Sequence, residues 1–512
     1  MNRLFYSIVT AIVITMVVLQ VTSVAQESQT YDEAVYIAAG YSYWQTGDFR
    51  INTEHPPLAK LLVAAPLLPL RLDLPLNSAA WQHADQYTFG ANFLYHNRLS
   101  PDAILMVSRC ITIALTLLFA LILTIWVERR AGRFAAVIAL IFFAFDPNIL
   151  AHGRYATNDL CLALFFFLAV VCWNRALARG RLVDYAVAGL VVALALCTKL
   201  SGVLVLPALA VLCLVRRPEA KVLARGCAMA LLTAVVAMLV MYHGTLYHYR
   251  EVIDAWRAQA AGGHLAYAFG STFKHGQWYF YPAVAAVKTP VGVFVALAVT
   301  LLAILGRKRM AAESYVVLVP AAIYAIACIV SPIDLGIRIL LPIYPLLYAF
   351  IALNLPARHL KAALLICAAI VVVESATIYP YYLAYFNAFS GGPTQGPRYL
   401  LDSNIDWGQD TKRLKVFLRE RGVRGACTAY FGLAYPFYYD IVQLPWPGYV
   451  NPSNVRSLNC LVAVSATWLY GGPEIAGPTW GWLRSQTPNA RIGYSIYVYD
   501  FRKGTGASPL AP

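Results

Sequence analysis

Long, continuous apolar runs broken by short polar stretches set the pattern of this chain. Runs of about 20 residues, enough for a helix to cross a ~30 Å hydrocarbon core, recur from residue 5 to residue 380. The runs are too long and uniformly apolar for the alternating strands of a transmembrane barrel, so helix is the remaining way to satisfy a spanning backbone. The pattern predicts about eleven spans, near 5–25, 102–127, 133–151, 156–173, 184–198, 200–215, 224–243, 283–305, 315–331, 336–355 and 360–380. The fifth and sixth are short and joined only by "TKLSG", which predicts a tight hairpin. From Tyr381 the pattern changes. Gly, Pro and Tyr become frequent, and "RIGYSIYVYDF" alternates as a strand does. The expected fold is therefore mainly α: a polytopic helical membrane domain over 1–380, with a first outer loop at 26–100, followed by a small α/β domain over 381–512.

Composition supports this division. The chain is 60% hydrophobic and only 13% charged, more apolar surface than a soluble core absorbs. The net charge of +15 gathers in short breaks: "ERRAGR" (128–133), "NRALARGR" (174–181), "RRPEAKVLAR" (216–225), "GRKR" (306–309) and "ARHLK" (357–361). If Arg3 lies in the cytoplasm, every one of these breaks lies there too, as the positive-inside rule requires. Membrane topology thus explains the charge, and a nucleic-acid partner is not expected. The same count puts the first loop and the tail outside the cytoplasm, for a protein of the inner membrane. "SVAQ" also fits a signal-peptide cleavage site, but the apolar run is long for a signal and reads as a retained helix. Eight cysteines lie in or beside spans and read as packing residues. Cys427 and Cys460 are the two in the tail, where an oxidising compartment would permit a disulfide.

The informative polar residues sit at the outer ends of spans. Asp32 and Glu33 follow the first span, and Glu54 and His55 precede an apolar segment that Pro56 and Pro57 introduce. Asp146, His152, Arg154 and Asp159 lie between spans three and four, Lys199 lies in the tight hairpin, and Asp334 and Arg338 open span ten. Any one of these has an ordinary reading, as a loop acid, a helix cap or a cation reaching the interface. Ionisable groups at membrane depth are costly, however, and convergence on one face points to function. No Walker-type phosphate loop is present. A carboxylate to take a hydroxyl proton and cations, or a metal, to hold a departing phosphate suit transfer from a lipid-linked sugar phosphate.

Those residues fall in motifs that together resemble a known family. "YDEAVY…GDF…EHPPL", "HGRYATNDL", "CTKLSG" and "DLGIRILLPIYPLL" are similar to landmarks of the GT-C superfamily of polyprenol-linked glycosyltransferases. The likeness is to the protein O-mannosyltransferase family and its bacterial relatives, including the lipid A aminoarabinose transferase. "YLAYFNAFSGGPTQGPRYLLDSNIDWGQDTKRL" (382–414) looks like an extension found in the bacterial members. The resemblance implies an inverting transferase whose first outer loop holds interfacial helices and the catalytic acid. On this likeness Asp32 corresponds to the general base, and Glu33 completes the pair. Glu54 and His55 shape the site, with a divalent metal at Glu54 left open. Arg154 and Arg338 contact donor phosphate, and Asp159 lines the acceptor side. The aminoarabinose transferase pattern has Lys where His55 stands here, and the 244–281 loop is too short for the eukaryotic β-trefoil insertion. In that loop Trp278 and Tyr279 are either an interfacial belt or a wall of the sugar site, and His248, His264 and His275 are candidates to join Glu54 at a metal. The expected partners are a polyprenyl-phosphate sugar donor, the bilayer, and a protein, lipid or glycan acceptor. The rival readings are a glycan ligase or polymerase using a diphosphate carrier, and a lipid-linked sugar transporter. A transporter would be expected to show internal repeats and charges near mid-membrane.

Overall fold

A computed structural model describes residues 2–355, 361–444, 459–471 and 480–502. Each predicted span coincides with a helix, although several are broken. The first is Asn2–Val24. The second and third form one 45-residue run, Pro101–Phe145, interrupted at Gly132 with φ 82° and ψ 176°. Unbroken, it would extend about 67 Å, twice a hydrocarbon core. The reversal falls in the basic stretch 128–133, at a residue that tolerates positive φ without a Cβ clash. Asp159–Arg179, Leu182–Leu196, Val205–Arg216 and Ala220–Met241 follow.

Several predicted spans are interrupted beside a proline. The expected 283–305 span is two helices, Phe280–Lys288 and Val291–Arg307, bent by 104°. Pro290 sits at the bend, and Thr289 before it is extended, as a residue preceding proline prefers. The 336–355 span opens with a short helix, Ile337–Leu340, and resumes after Pro342 as Ile343–Leu353. Among the described residues five helices are long and apolar enough to cross a membrane, or six if the bent pair is one span. The other predicted spans are shorter apolar helices.

The first loop is a folded unit. Its helix Glu33–Thr46 packs on Leu58–Ala64 and Gln86–Tyr95. Gly40 permits the closest approach, because a Cβ there would lie 2.0 Å from the Lys60 carbonyl oxygen.

The tail divides into two parts. Residues 382–410 are woven into the membrane half: Lys288 Nζ donates to the carbonyls of Leu383 (3.0 Å) and Asn404 (2.6 Å). Ser28 N–H donates to the Gln409 carbonyl at 3.0 Å. Beyond them, helix Thr411–Glu420 covers a five-stranded sheet. Its strands after the hairpin Ala266–Ala268 (β1) and Ser271–Phe273 (β2) are Gly425–Ala429 (β3), Val442–Gln443 (β4), Leu461–Ser465 (β5), Ala490–Ile492 (β6) and Ile496–Asp500 (β7). The order is β4-β3-β5-β7-β6; β3 pairs parallel with β4 and β5, while β7 runs antiparallel to its neighbours. A Cys427–Cys460 disulfide joins β3 to the residue before β5.

Candidate active site

Four connections that are far apart in sequence meet at one end of the helix bundle. Asp32 sits at the N-terminus of Glu33–Thr46, and its Oδ2 accepts from Arg338 Nη1 at 2.7 Å. Neither is sealed: the side chains are 22% and 12% exposed. The second pair is Asp159–Lys199, at 2.5 Å between Nζ and Oδ1. Asp159 occupies the first turn of Asp159–Arg179, where the amide end of the helix favours a carboxylate. Lys199 lies in the tight hairpin, held there by the turn into Leu200–Leu204.

His55, Tyr36 and His152 fill the space around these pairs. The His55 and Tyr36 rings stand 5.9 Å apart. Desolvation, then the Lys199 and Lys60 charges, push the His55 imidazole well below the usual histidine range. His152 is buried against Trp407, with 5.9 Å between ring centroids, and desolvation lowers it to about 3. Both histidines are therefore neutral at physiological pH. Several buried atoms here lack a protein partner: Asp159 Oδ2, Arg338 Nε, His55 Nδ1 and both His152 ring nitrogens. Such orphans are uncommon in protein interiors and mark room for a polar ligand or water.

Other predicted residues make their hydrogen bonds outside these two pairs. Glu33, next to Asp32, turns inward. Its carboxylate takes two hydrogen bonds from Arg109 (2.7 and 2.8 Å) and one each from the amides of Thr30 and Ala156. Arg154 is fully buried, donating to Glu27 at 2.8 Å and to Ser23. Both Glu33 oxygens are thus paired inside the protein, while Arg154 keeps an unpartnered Nε. Glu54 is exposed and accepts from Gln86 at 2.9 Å. Among the described residues no three His, Cys, Asp or Glu side chains gather as metal ligands. His248 pairs with Glu251 instead, at 2.7 Å. The residues around Glu54 thus do not fit a divalent ion. Trp278 is 71% exposed and meets Tyr279 edge-on, and Tyr279 meets Phe273; none of these ring contacts reaches the Asp32–Arg338 pair. Asp334 accepts from the Gln277 amide at 2.8 Å.

Sequence reasoning passed over the residues that frame the site. Lys60 is buried, and its ammonium holds the turn that carries Glu54 and His55 through the Asn52 carbonyl (2.7 Å), the His55 carbonyl (2.7 Å) and Tyr43 Oη (2.9 Å). Arg109, Lys288 and Glu27 were equally silent. A lone Arg inside the apolar run 102–127 was the available signal for the first.

An apolar cavity of about 260 Å³ lies among Phe280–Lys288, Val291–Arg307, Ser314–Ile329 and Ile343–Leu353. Tyr281, Phe294, Ile329 and Leu347 line it, as does Leu340 from the short helix that carries Arg338.

Among solved structures the chain is similar to ArnT from Cupriavidus metallidurans in the apo state, at 15% identity and a TM-score of 0.51, covering 98% of this chain and 99% of that one. It is also similar to ArnT from Cupriavidus metallidurans bound to undecaprenyl phosphate, at 13% identity and a TM-score of 0.49 over the same shares. The S. cerevisiae protein O-mannosyltransferase Pmt1-Pmt2 complex bound to the sugar donor matches 48% of this chain and 34% of that one, at 18% identity and a TM-score of 0.35. No curated protein matches. The apo likeness shows the fold, the GT-C membrane architecture with its small sheet-bearing tail. The chain shares that polytopic membrane fold. Residues 8–259, just under half of the chain, match the family model of dolichyl-phosphate-mannose-protein mannosyltransferase.

Proposed function

We propose that the chain moves one sugar from a polyprenyl-phosphate carrier to an acceptor hydroxyl on the extracytoplasmic side of the inner membrane, inverting the anomeric centre, with Asp32 as the base. The acceptor oxygen attacks the anomeric carbon while the bond to the phosphate oxygen breaks. The phosphate leaves with the electron pair, and the hydroxyl proton passes to the Asp32 carboxylate. Arg338 and Lys199 balance the charge of the leaving phosphate. When the phosphate takes up Arg338, Asp32 loses its ion-pair partner and is free to accept the proton. The neutral His55 and His152 add hydrogen-bonding capacity without further charge. Asp159 orients Lys199 and borders the acceptor. The carrier's apolar chain occupies the cavity that begins at Leu340.

The observation that carries this reading is the 2.7 Å pairing of Asp32 with Arg338, two partly exposed groups 306 positions apart, beside a second acid–cation pair with orphaned polar atoms. The Asp32→Asn variant tests it. Sugar transfer from the carrier is expected to fall by about 10²–10⁴-fold, the range for loss of a positioned base, while undecaprenyl phosphate still binds. Normal turnover by this variant, assayed in membranes with mass spectrometry of the glycosylated products, would sink the mechanism. Comparing glycoproteins and glycolipids from cells with and without the gene identifies the acceptor class.

A further inference from the structure

Trp407, contributed by the tail segment, touches Arg338 and the residue that precedes Asp32. Its indole lies beneath the Arg338 guanidinium, 4.7 Å from carbon to ring centroid. Its carbonyl accepts the Tyr31 N–H at 2.9 Å, immediately before Asp32 in the chain. The ring is 2% exposed and is pinned by Tyr155 and His152, each at 5.9 Å. The backbone is pinned as well, for Gln409 Oε1 accepts the Trp407 N–H at 2.8 Å.

The neighbours of Trp407 hold the other end of the same arginine. Asn404 Oδ1 accepts the Ile337 N–H at 3.0 Å, capping the four-residue helix that carries Arg338. The Ser403 hydroxyl donates to the Leu335 carbonyl at 3.1 Å. Gly336, with φ 94°, makes room: a Cβ there would stand 2.3 Å from the Asn404 side chain.

We propose that Trp407 is a positioning residue that sets the angle at which Arg338 meets the carrier phosphate, by an aromatic platform under the guanidinium. The inference rests on the reading of Arg338 as the phosphate-holding cation. An arginine side chain has several rotatable bonds, and a fixed ring face beneath it favours one orientation of the guanidinium plane. The indole adds attraction without offering a competing anion, so the arginine is oriented but not neutralised. The carbonyl bond to Tyr31 fixes the start of the Asp32 helix from the same residue. One residue of the tail, through its ring and its carbonyl, thereby sets the spacing of base and cation.

Fluorinated tryptophans placed only at position 407 test this. Fluorine withdraws the charge of the ring face with little change in shape and leaves the bond to Tyr31 intact. Binding of undecaprenyl phosphate by the purified full chain is expected to weaken stepwise with each added fluorine, reaching roughly tenfold to thirtyfold for the most substituted ring. The thermal unfolding midpoint should stay constant across the series, and Trp407→Tyr should bind better than Trp407→Leu. A flat binding series overturns the inference. Arg338→Ala serves as the reference. If it binds undecaprenyl phosphate as the unchanged protein does, the phosphate-holding reading falls and the inference with it. If Arg338→Ala loses binding while the fluorinated series stays flat, the inference alone falls.

Discussion

Asp32 and Glu33 are adjacent, both acidic and both paired with arginine, yet they belong to opposite kinds of region. Glu33 is part of a closed network with Arg109, and Glu27 nearby holds Arg154 and Arg413, which also pairs with Asp410. Every oxygen of Glu33 and Glu27 is bonded within the protein. Asp32, Arg338, Asp159 and Lys199 are less complete, and two buried atoms of that set, Asp159 Oδ2 and Arg338 Nε, lack a partner. Arg154 Nε and Arg413 Nε in the closed network also lack a partner, so the difference lies in the acids: Glu33 and Glu27 have every carboxylate oxygen paired, whereas Asp159 Oδ2 is unpartnered and Asp32 is partly exposed. A sealed pair makes the fold depend on it, whereas an open pair retains capacity for a substrate.

The sharpest way to break the contrast is to neutralise each neighbour in turn. Asp32→Asn should remove about 10²–10⁴-fold of transfer and leave the unfolding midpoint in place. Arg109→Met should instead cost about 3–5 kcal/mol of stability, because it strands the buried Glu33 charge. Detergent-solubilised yield and thermal melting measure that loss. The Glu33→Leu, Arg109→Met double variant should regain most of it, since an apolar pair carries no desolvation cost. A double variant as unstable as the single one would argue against this account.

A subtler comparison lies in the tail. Asp406 is buried beside the site and accepts the Thr467 N–H at 2.9 Å, but has no cation against it. Desolvation raises its carboxyl to about 7. Its folded pKa is above the unfolded value, so the folded state holds the proton more tightly. The group therefore lowers stability as pH rises from about 4 to 7. Melting should be higher at pH 5 than at pH 8, and Asp406→Asn should narrow that gap. The smallest expected effect is at the exposed rim: Trp278→Ala should leave transfer within about twofold, as surface substitutions do.

The spans were legible because continuous apolar runs have few other uses, and their basic breaks mark the turns. The bend at Pro290 and the interruption at Pro342 were written in the sequence as well, but the apolar run continues through them and hides the break. The outer polar residues were visible as a set. Their sorting was not, because Arg154 and Arg338 are the same residue type near the same end, and only tertiary contacts show that Glu27 claims one of them. "DSNIDWGQD", with Asp402, Asn404, Asp406 and Gln409 around Trp407, reads somewhat better as a capped turn than as an acceptor-recognition loop. Its position against Arg338 depends on packing across hundreds of residues, which no local pattern records.

That packing also imposes an order in time. Asp32 leaves the ribosome early, while Asn404, which caps the arginine's helix, follows it by 372 residues. At about 5–20 residues per second, that is roughly 20–75 seconds of synthesis. Through that interval the nascent chain has Asp32, the proposed base, but lacks the residue that caps the helix of Arg338. On the proposed mechanism, cleavage of the activated lipid therefore waits until the chain is nearly complete.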